Sequence, residues 1–253
     1  MESALDYYGA RALLQWQIEL GATESIGDEP VDRYALQATV PKAKADQAPA
    51  VVKAKEVDPV EQAQKAARAA TGLPSLRAAL EGFEHCALKK GARNLVFSDG
   101  QAVARVMIIG DAPGRDEDRA GIPFAGRAGG LLDKMLAAID LERSKNVYLT
   151  SVLPWRPPLN QEVQAGDIAM MTPFLQRHVE LAEPEILVLM GNTACQAVLG
   201  KRGISRLRGE WLQAWGKPVL PMVPPEKLLT QPQGKRAAWA DLLSLKAKLG
   251  MLA

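Results

Sequence analysis

At 253 residues the chain has room for one sizeable α/β domain and an appendage. Its two cysteines, Cys86 and Cys195, form no CxxC pair and exclude a disulfide framework. The net charge of +2 hides an asymmetry: residues 1–50 carry four basic and eight acidic side chains, and residues 201–253 carry ten basic and three acidic. Such a basic C-terminal part either faces a polyanion or is a solvated helix face.

Ala4–Leu20 has Leu13, Leu14, Trp16 and Ile18 at helical spacing, so residues 1–21 are expected to form an amphipathic helix that docks on the domain or binds a partner. Residues 22–58 are rich in Ala, Pro, Lys and Asp without sustained periodicity and read as a flexible linker. From residue 59 to 253 the pattern alternates. Helices are predicted over Val60–Ala70, Ser75–Phe83, Ala128–Ile139, Asp167–Leu181, Thr193–Leu199 and Gly234–Leu249. Strands are predicted at Leu95–Phe97, Ala104–Ile109, Val147–Ser151, Ile186–Met190 and Val219–Met222. Long crossovers between such strands imply an α/β fold: three layers, α/β/α, around a central, mostly parallel four-stranded sheet. The apolar runs are too short for a membrane span and the start of the chain has no signal-peptide core, so a cytoplasmic protein without membrane attachment is expected.

The segment Met107–Leu132, MIIGDAPGRDEDRAGIPFAGRAGGLL, concentrates the chemistry. A buried strand stops at Gly110, and a tight Asp111-Ala112-Pro113-Gly114 turn places a carboxylate at its carboxyl end. Phe124 follows a short loop later, with backbone N–H groups expected to be free around both. Ligands of open α/β sheets bind at such strand ends, so this is a cleft for a flat, polar ligand or an ordinary βα turn with a capping Asp. The acidic run Asp116-Glu117-Asp118 has neither His85 nor His178 near it in sequence and reads as a solvated loop with a role in holding the motif turn, rather than a metal site. Asp133 suits a cap or an ion pair, and His178 and Cys195, within helices, suit packing. There is no GxxxxGK[ST] loop and no GxGxxG fingerprint to suggest another nucleotide enzyme.

Six blocks in order, CALKKGARNLVF, GDAPGRDEDRAGIPFAG, VYLTSVLPWRPPLN, PEILVLMGNTA, GISRLRG and PVLPMVPPEKLL, resemble the uracil-DNA glycosylase superfamily over Leu76–Leu249. The resemblance is closest to family 4 and its proteobacterial relatives. It implies a monomeric DNA repair glycosylase that hydrolyses the N-glycosidic bond of uracil or a related deaminated base in DNA; a catalytically inactive DNA-binding member is the alternative. By that resemblance Asp111, where relatives usually have Glu, places water or stabilises the sugar cation, and Phe124 stacks on the base. Gly110, Ala112, Pro113 and Gly114 complete the base pocket. Ser151 touches the base edge where relatives usually have Asn. Pro224-Pro225 occupies the place of a His-Pro pair whose His donates to the departing base.

For DNA, Arg202, Arg206 and Arg208 suit phosphate contacts, and Arg156 either does the same or pairs with a local carboxylate. The segment Pro224–Pro232 corresponds to a loop pushed into the minor groove. Leu228 and Leu229 are its wedge or, equally, core residues. Family 4 also carries four cysteines around an iron–sulfur cluster. Only Cys86 matches; the other three positions align with Phe83, Trp155 and Met171, so no cofactor is expected and an apolar plug is expected in its place.

Overall fold

A computed structural model describes residues 7–21, 58–158 and 163–252. The chain divides into two units, Met1–Lys53 and Ala54–Ala253. In the first, α1 covers Tyr7–Glu19, and none of its residues is buried. The expected linker over 22–58 lies outside the described residues apart from Asp58. That residue caps α2 (Pro59–Ala69), accepting from the Val60 N–H at 2.9 Å.

The second unit continues with α3 (Leu73–Glu81), β1 (Ser98–Gly100), β2 (Val106–Gly110), α4 (Arg115–Ala120) and α5 (Gly126–Ala137). Next come β3 (Val147–Ser151), α6 (Ala165–Ala182), β4 (Ile186–Met190), α7 (Asn192–Leu199) and α8 (Ile204–Leu207). The unit closes with β5 (Leu212–Ala214), β6 (Lys217–Met222), α9 (Pro225–Thr230) and α10 (Lys235–Met251).

The α/β class holds, but the sheet has six strands rather than four, in the order β1-β3-β2-β4-β6-β5. β3, β2, β4 and β6 are parallel, and β1 and β5 pair antiparallel at the two edges. The edge strands are three residues long, too short for alternation to reveal them. The predicted strand at Leu95–Phe97 is likewise corrected. There the Val96 N–H donates to the Pro154 carbonyl and the Phe97 carbonyl accepts from the Thr150 hydroxyl, both at 2.8 Å, and pairing with β3 begins at Ser98.

Parallel strands buried on both faces read as continuous apolar runs, and every residue of β2, β3 and β4 is buried. Alternation then splits the core. Met107, Ile109, Leu187 and Leu189 pack with Leu76, Phe174, Leu175 and Cys195 from α3, α6 and α7. Val106, Ile108, Val147 and Val188 pack with Leu132, Leu136, Leu242 and Leu245 from α5 and α10.

Candidate active site

Register brings the strand ends together. Gly110 lies opposite Ser151 on one side and Met190 on the other, and Met190 opposite Met222, so four parallel strands finish on one rung. From β2 the chain proceeds to β3 at one side, then through α6 to β4 at the other, which makes the β2/β4 boundary a topological switch point. Beyond it opens a cleft of about 310 Å³ lined by Gly110, Asp111, Ala112, Gly114, Phe124 and Ser151, all singled out from the sequence. Pro113 is buried and is not part of the lining. The opposite wall is the start of α9, with Pro224, Glu226 and Lys227.

Asp111 is a cap, but for a helix distant in sequence. Its Oδ1 accepts from the Ala194 N–H at 2.8 Å, so a carboxylate at the end of β2 closes the first turn of α7. The residue before α7 is Gly191, with φ 126°, which offers no side-chain cap. A β-carbon there would stand 2.2 Å from Asp111 Oδ2, so the glycine makes the space the carboxylate occupies. Burial lifts the Asp111 carboxyl from an ordinary 3.8 to about 6, against the N–H groups of Ala194, Thr193 and Asn192, which lower it; the nearby Glu226 raises it further.

Phe124 is held in a left-handed backbone conformation, φ 51°, which a non-glycine residue adopts only under constraint. Glu117 Oε1 accepts from its N–H at 2.5 Å, and the Arg143 guanidinium donates to its carbonyl at 3.1 Å. Arg143 is fixed in turn by Asp99 at 2.6 Å and Asp133 at 2.9 Å, which makes Asp133 an ion-pair partner. The other Glu117 oxygen accepts from the Gly114 N–H at 2.5 Å. The amides of Gly114 and Phe124 are therefore satisfied within the protein, not free for a ligand as expected. Burial raises the Glu117 carboxyl above its ordinary range, while those two N–H groups lower it. The acidic run thus holds the motif turn, as one part of its reading expects, but it is not a solvated loop. It forms α4, and Asp118 is buried, accepting from the backbone N–H groups of Arg93 at 2.8 Å and Asn94 at 3.3 Å.

Of the residues assigned to DNA, Arg202 and Arg206 are exposed. Arg208 is corrected: its Nε donates to Asp241 Oδ2 at 3.0 Å and its Nη2 to the Ala237 carbonyl at 2.7 Å, tying it to α10. Asp241 is 2% exposed, and its charge is what holds the guanidinium inward. Leu228 follows the core reading rather than the wedge. The segment Pro224–Pro232 contains α9, whose apolar side turns Leu228 into the core against Ala238, while Leu229 stays exposed. Arg156 faces Asp118 at 3.5 Å, the local carboxylate of its second reading.

His178 is buried and neutral, its pKa pushed down to about 3 by desolvation, with its ring stacked on Phe97 and Nε2 2.8 Å from the Tyr148 hydroxyl. Cys195 is buried, its thiol pushed up to about 12 by desolvation and the nearby Asp111. Among the described residues no group of three His, Cys, Asp or Glu is placed to hold a metal ion, and no helix is long and apolar enough to cross a membrane. Sequence reading missed Glu117, Glu226 and Lys227 as parts of the cleft. The available signal was the place of the last two, directly after Pro224 and Pro225, which the resemblance sets at the position of a His-Pro pair.

The Uracil DNA glycosylase superfamily profile matches residues 97–243. The type-4 uracil-DNA glycosylase of Archaeoglobus fulgidus is 38% identical over 157 residues, covering 58% of this chain and 78% of that protein. The type-4 enzyme of Thermotoga maritima is 35% identical over 149 residues, covering 57% and 76%. That of Saccharolobus solfataricus is 29% identical over 175 residues, covering 66% and 81%.

These relatives overturn the expectation that the chain carries no cofactor, because the type-4 pattern is the one that brings an iron–sulfur cluster. The residues present do not make a four-thiolate cradle. Cys86 shares one apolar cluster with Phe83, Trp155 and Met171, and the cavity bordered by Met171 measures about 20 Å³, the room of one water. The chemistry of the cleft is accordingly that of the chain's own side chains.

Proposed function

The chain belongs to the uracil-DNA glycosylase superfamily, and we propose that its cleft hydrolyses the N-glycosidic bond of uracil, or of a related deaminated base, in DNA. One observation carries this reading: the Phe124 ring and the Asp111 carboxylate line the same cleft at the sheet's switch point. A nucleotide swung out of the stack brings a flat base and the C1′ carbon of its sugar into reach of the same protein surface.

In this reading Phe124 stacks on the base, and its clamped backbone keeps the ring in place as the nucleotide enters. Ser151 supplies one hydroxyl to the base edge, a single donor or acceptor in place of a bidentate amide. Asp111 holds a water against C1′ and favours the positive charge that builds on the sugar as the bond opens. A pKa of about 6 leaves most of the carboxyl ionised at neutral pH and able to take the water's proton. Arg202 and Arg206 bind phosphates without regard to sequence, and Leu229 enters the gap left by the base. The glycosylase domain spans residues 59–253.

The test is excision of uracil from a single-stranded oligonucleotide by the wild type and by Asp111→Asn. Release of uracil by the wild type and its loss in the variant support the assignment. Equal rates remove Asp111 from the mechanism, and no release of uracil, hypoxanthine or xanthine by the wild type overturns the function.

A further inference from the structure

Two helices of the domain carry more apolar surface than the sheet uses. Leu132 and Leu136 of α5 pack with Leu242 and Leu245 of α10 in the core that holds Val106 and Ile108. A second face of α5 is formed by Leu131, Lys134 and Met135, with Ala138 just past its end, at the i, i+3, i+4, i+7 spacing of one helix side. Lys235, Ala238, Trp239 and Leu242 repeat that spacing on α10. Together with Leu228 of α9 the two faces line a surface groove of about 290 Å³. Its floor is a small cluster in which Leu131 and Met135 pack half-buried on Leu228 and Ala238. Trp239 is 43% exposed, and Leu243, one turn further along α10, is 46% exposed. An apolar groove open to water in this way marks a surface that another molecule covers.

Charge says what kind of molecule. Apart from the Trp239 indole N–H, the only polar side-chain groups lining the groove are the ammonium ends of Lys134 and Lys235. Both lysines are exposed, as is Arg236 beside the second. The carboxylates nearest to Lys134 along the chain are engaged elsewhere, Asp133 with Arg143 and Asp140 with Lys246. No acidic residue lines the groove, so its unanswered charge is positive.

We propose that the groove between α5 and α10 docks a partner protein through a short amphipathic helix, with its apolar stripe against Trp239 and Met135 and acidic residues on its flanks.

The lining of each helix runs from i to i+7, about 10 Å, or two turns, which suits a helix laid along the groove. A second copy of this chain fits less well, because a two-fold contact through this face sets Lys134 and Lys235 of both copies against one another. Single-stranded DNA would meet the lysines with phosphates, but its successive bases need several aromatic platforms, and Trp239 is the one aromatic side chain lining the groove. The groove and the cleft share α9 yet no lining residue: Pro224, Glu226 and Lys227 belong to the cleft and Leu228 to the groove. A partner can therefore stay seated while the cleft is at work, which suits a protein that brings this one to its substrate rather than one that blocks it.

The test is fluorescence anisotropy of the full chain with a labelled peptide of about 15 residues, long enough for helix to form, with Leu at every third or fourth position and Glu at most others. A peptide with Lys in place of Glu is the control. The acidic peptide should bind about tenfold or more tightly than the basic one at low salt. Trp239→Ala should weaken the acidic peptide by about 30-fold, the loss typical of a central aromatic anchor. Lys134→Glu combined with Lys235→Glu should reverse the preference between the two peptides, and circular dichroism like that of the wild type shows that each variant is folded. No binding of the acidic peptide, equal binding of both peptides, or a Trp239→Ala variant that binds as tightly as the wild type overturns the proposal. Concentration-dependent dimerisation that is lost in Trp239→Ala also overturns it and gives the groove to a second copy. So does a single-stranded oligonucleotide that displaces the peptide and binds more weakly to Trp239→Ala, which gives the surface to DNA.

Discussion

The tip of the Phe124 ring rests on Gly110: a β-carbon at that glycine would stand 2.8 Å from Cζ. The ring has no easy retreat, because the Phe124 backbone is gripped by Glu117 on one side and Arg143 on the other. Gly110→Ala should destabilise the fold by about 1–3 kcal/mol through overpacking. It should also slow uracil excision by about 10²-fold, the effect of shifting a positioning group by an ångström. Thermal denaturation beside an excision assay checks both, and an unchanged rate would show that the ring does not set the base's position.

Asp111→Asn should separate chemistry from stability. Excision should fall by about 10²- to 10⁴-fold with the loss of a general base. The folded carboxyl has a raised pKa, so its stabilising contribution is full below the ordinary 3.8 and is lost as pH rises through about 6. At pH 8 the native carboxylate is therefore a liability that asparagine removes. The variant should gain about 1–2 kcal/mol at pH 8, with the difference vanishing near pH 4. Melting temperatures across that range report the sign.

Installing the His and Asn that the family resemblance places at positions 224 and 151 should speed the reaction. Pro224 has an extended backbone, φ −68° and ψ 148°, which histidine adopts without strain. Pro224→His combined with Ser151→Asn should raise uracil excision by about 10²-fold, the worth of one well-placed donor. Turnover on single-stranded uracil substrate measures it, and no gain would locate the limiting step elsewhere than at the base.

The two classes of arginine should part in a salt titration of DNA binding. Arg202→Ala and Arg206→Ala should each lower the slope of log affinity against log salt by about one. Arg208→Ala should leave that slope alone. It strands Asp241, 2% exposed, without its partner and should cost about 3–5 kcal/mol of stability. Fluorescence anisotropy and thermal denaturation of the three variants give the comparison.

The frame of the domain was legible where a signal is local and repeated. β3 and β4 have the predicted bounds because fully buried strands are unbroken apolar runs. The cleft was legible through Gly110, Asp111, Phe124 and Ser151, which sit at strand ends or in a turn of defined chemistry. What escaped depends on partners far along the chain. Arg208 reads as a surface cation until Asp241, 33 residues away, is beside it. Leu228 and Leu229 look alike as letters, and only the direction of α9 sends one inward and the other out. Glu226 follows two prolines directly, and only the fold of α9 against the strand ends puts it on the cleft wall.

Because one carboxyl group both lines the cleft and closes the first turn of α7, events in the cleft have a reporter in the backbone nearby. Taking up a proton on Asp111 withdraws negative charge from the amides of Asn192, Thr193 and Ala194. Hydrogen-exchange protection at those amides should decline as pH falls through about 6 and stay flat in Asp111→Asn. The start of α7 would then register the ionisation state of the cleft with no substrate present.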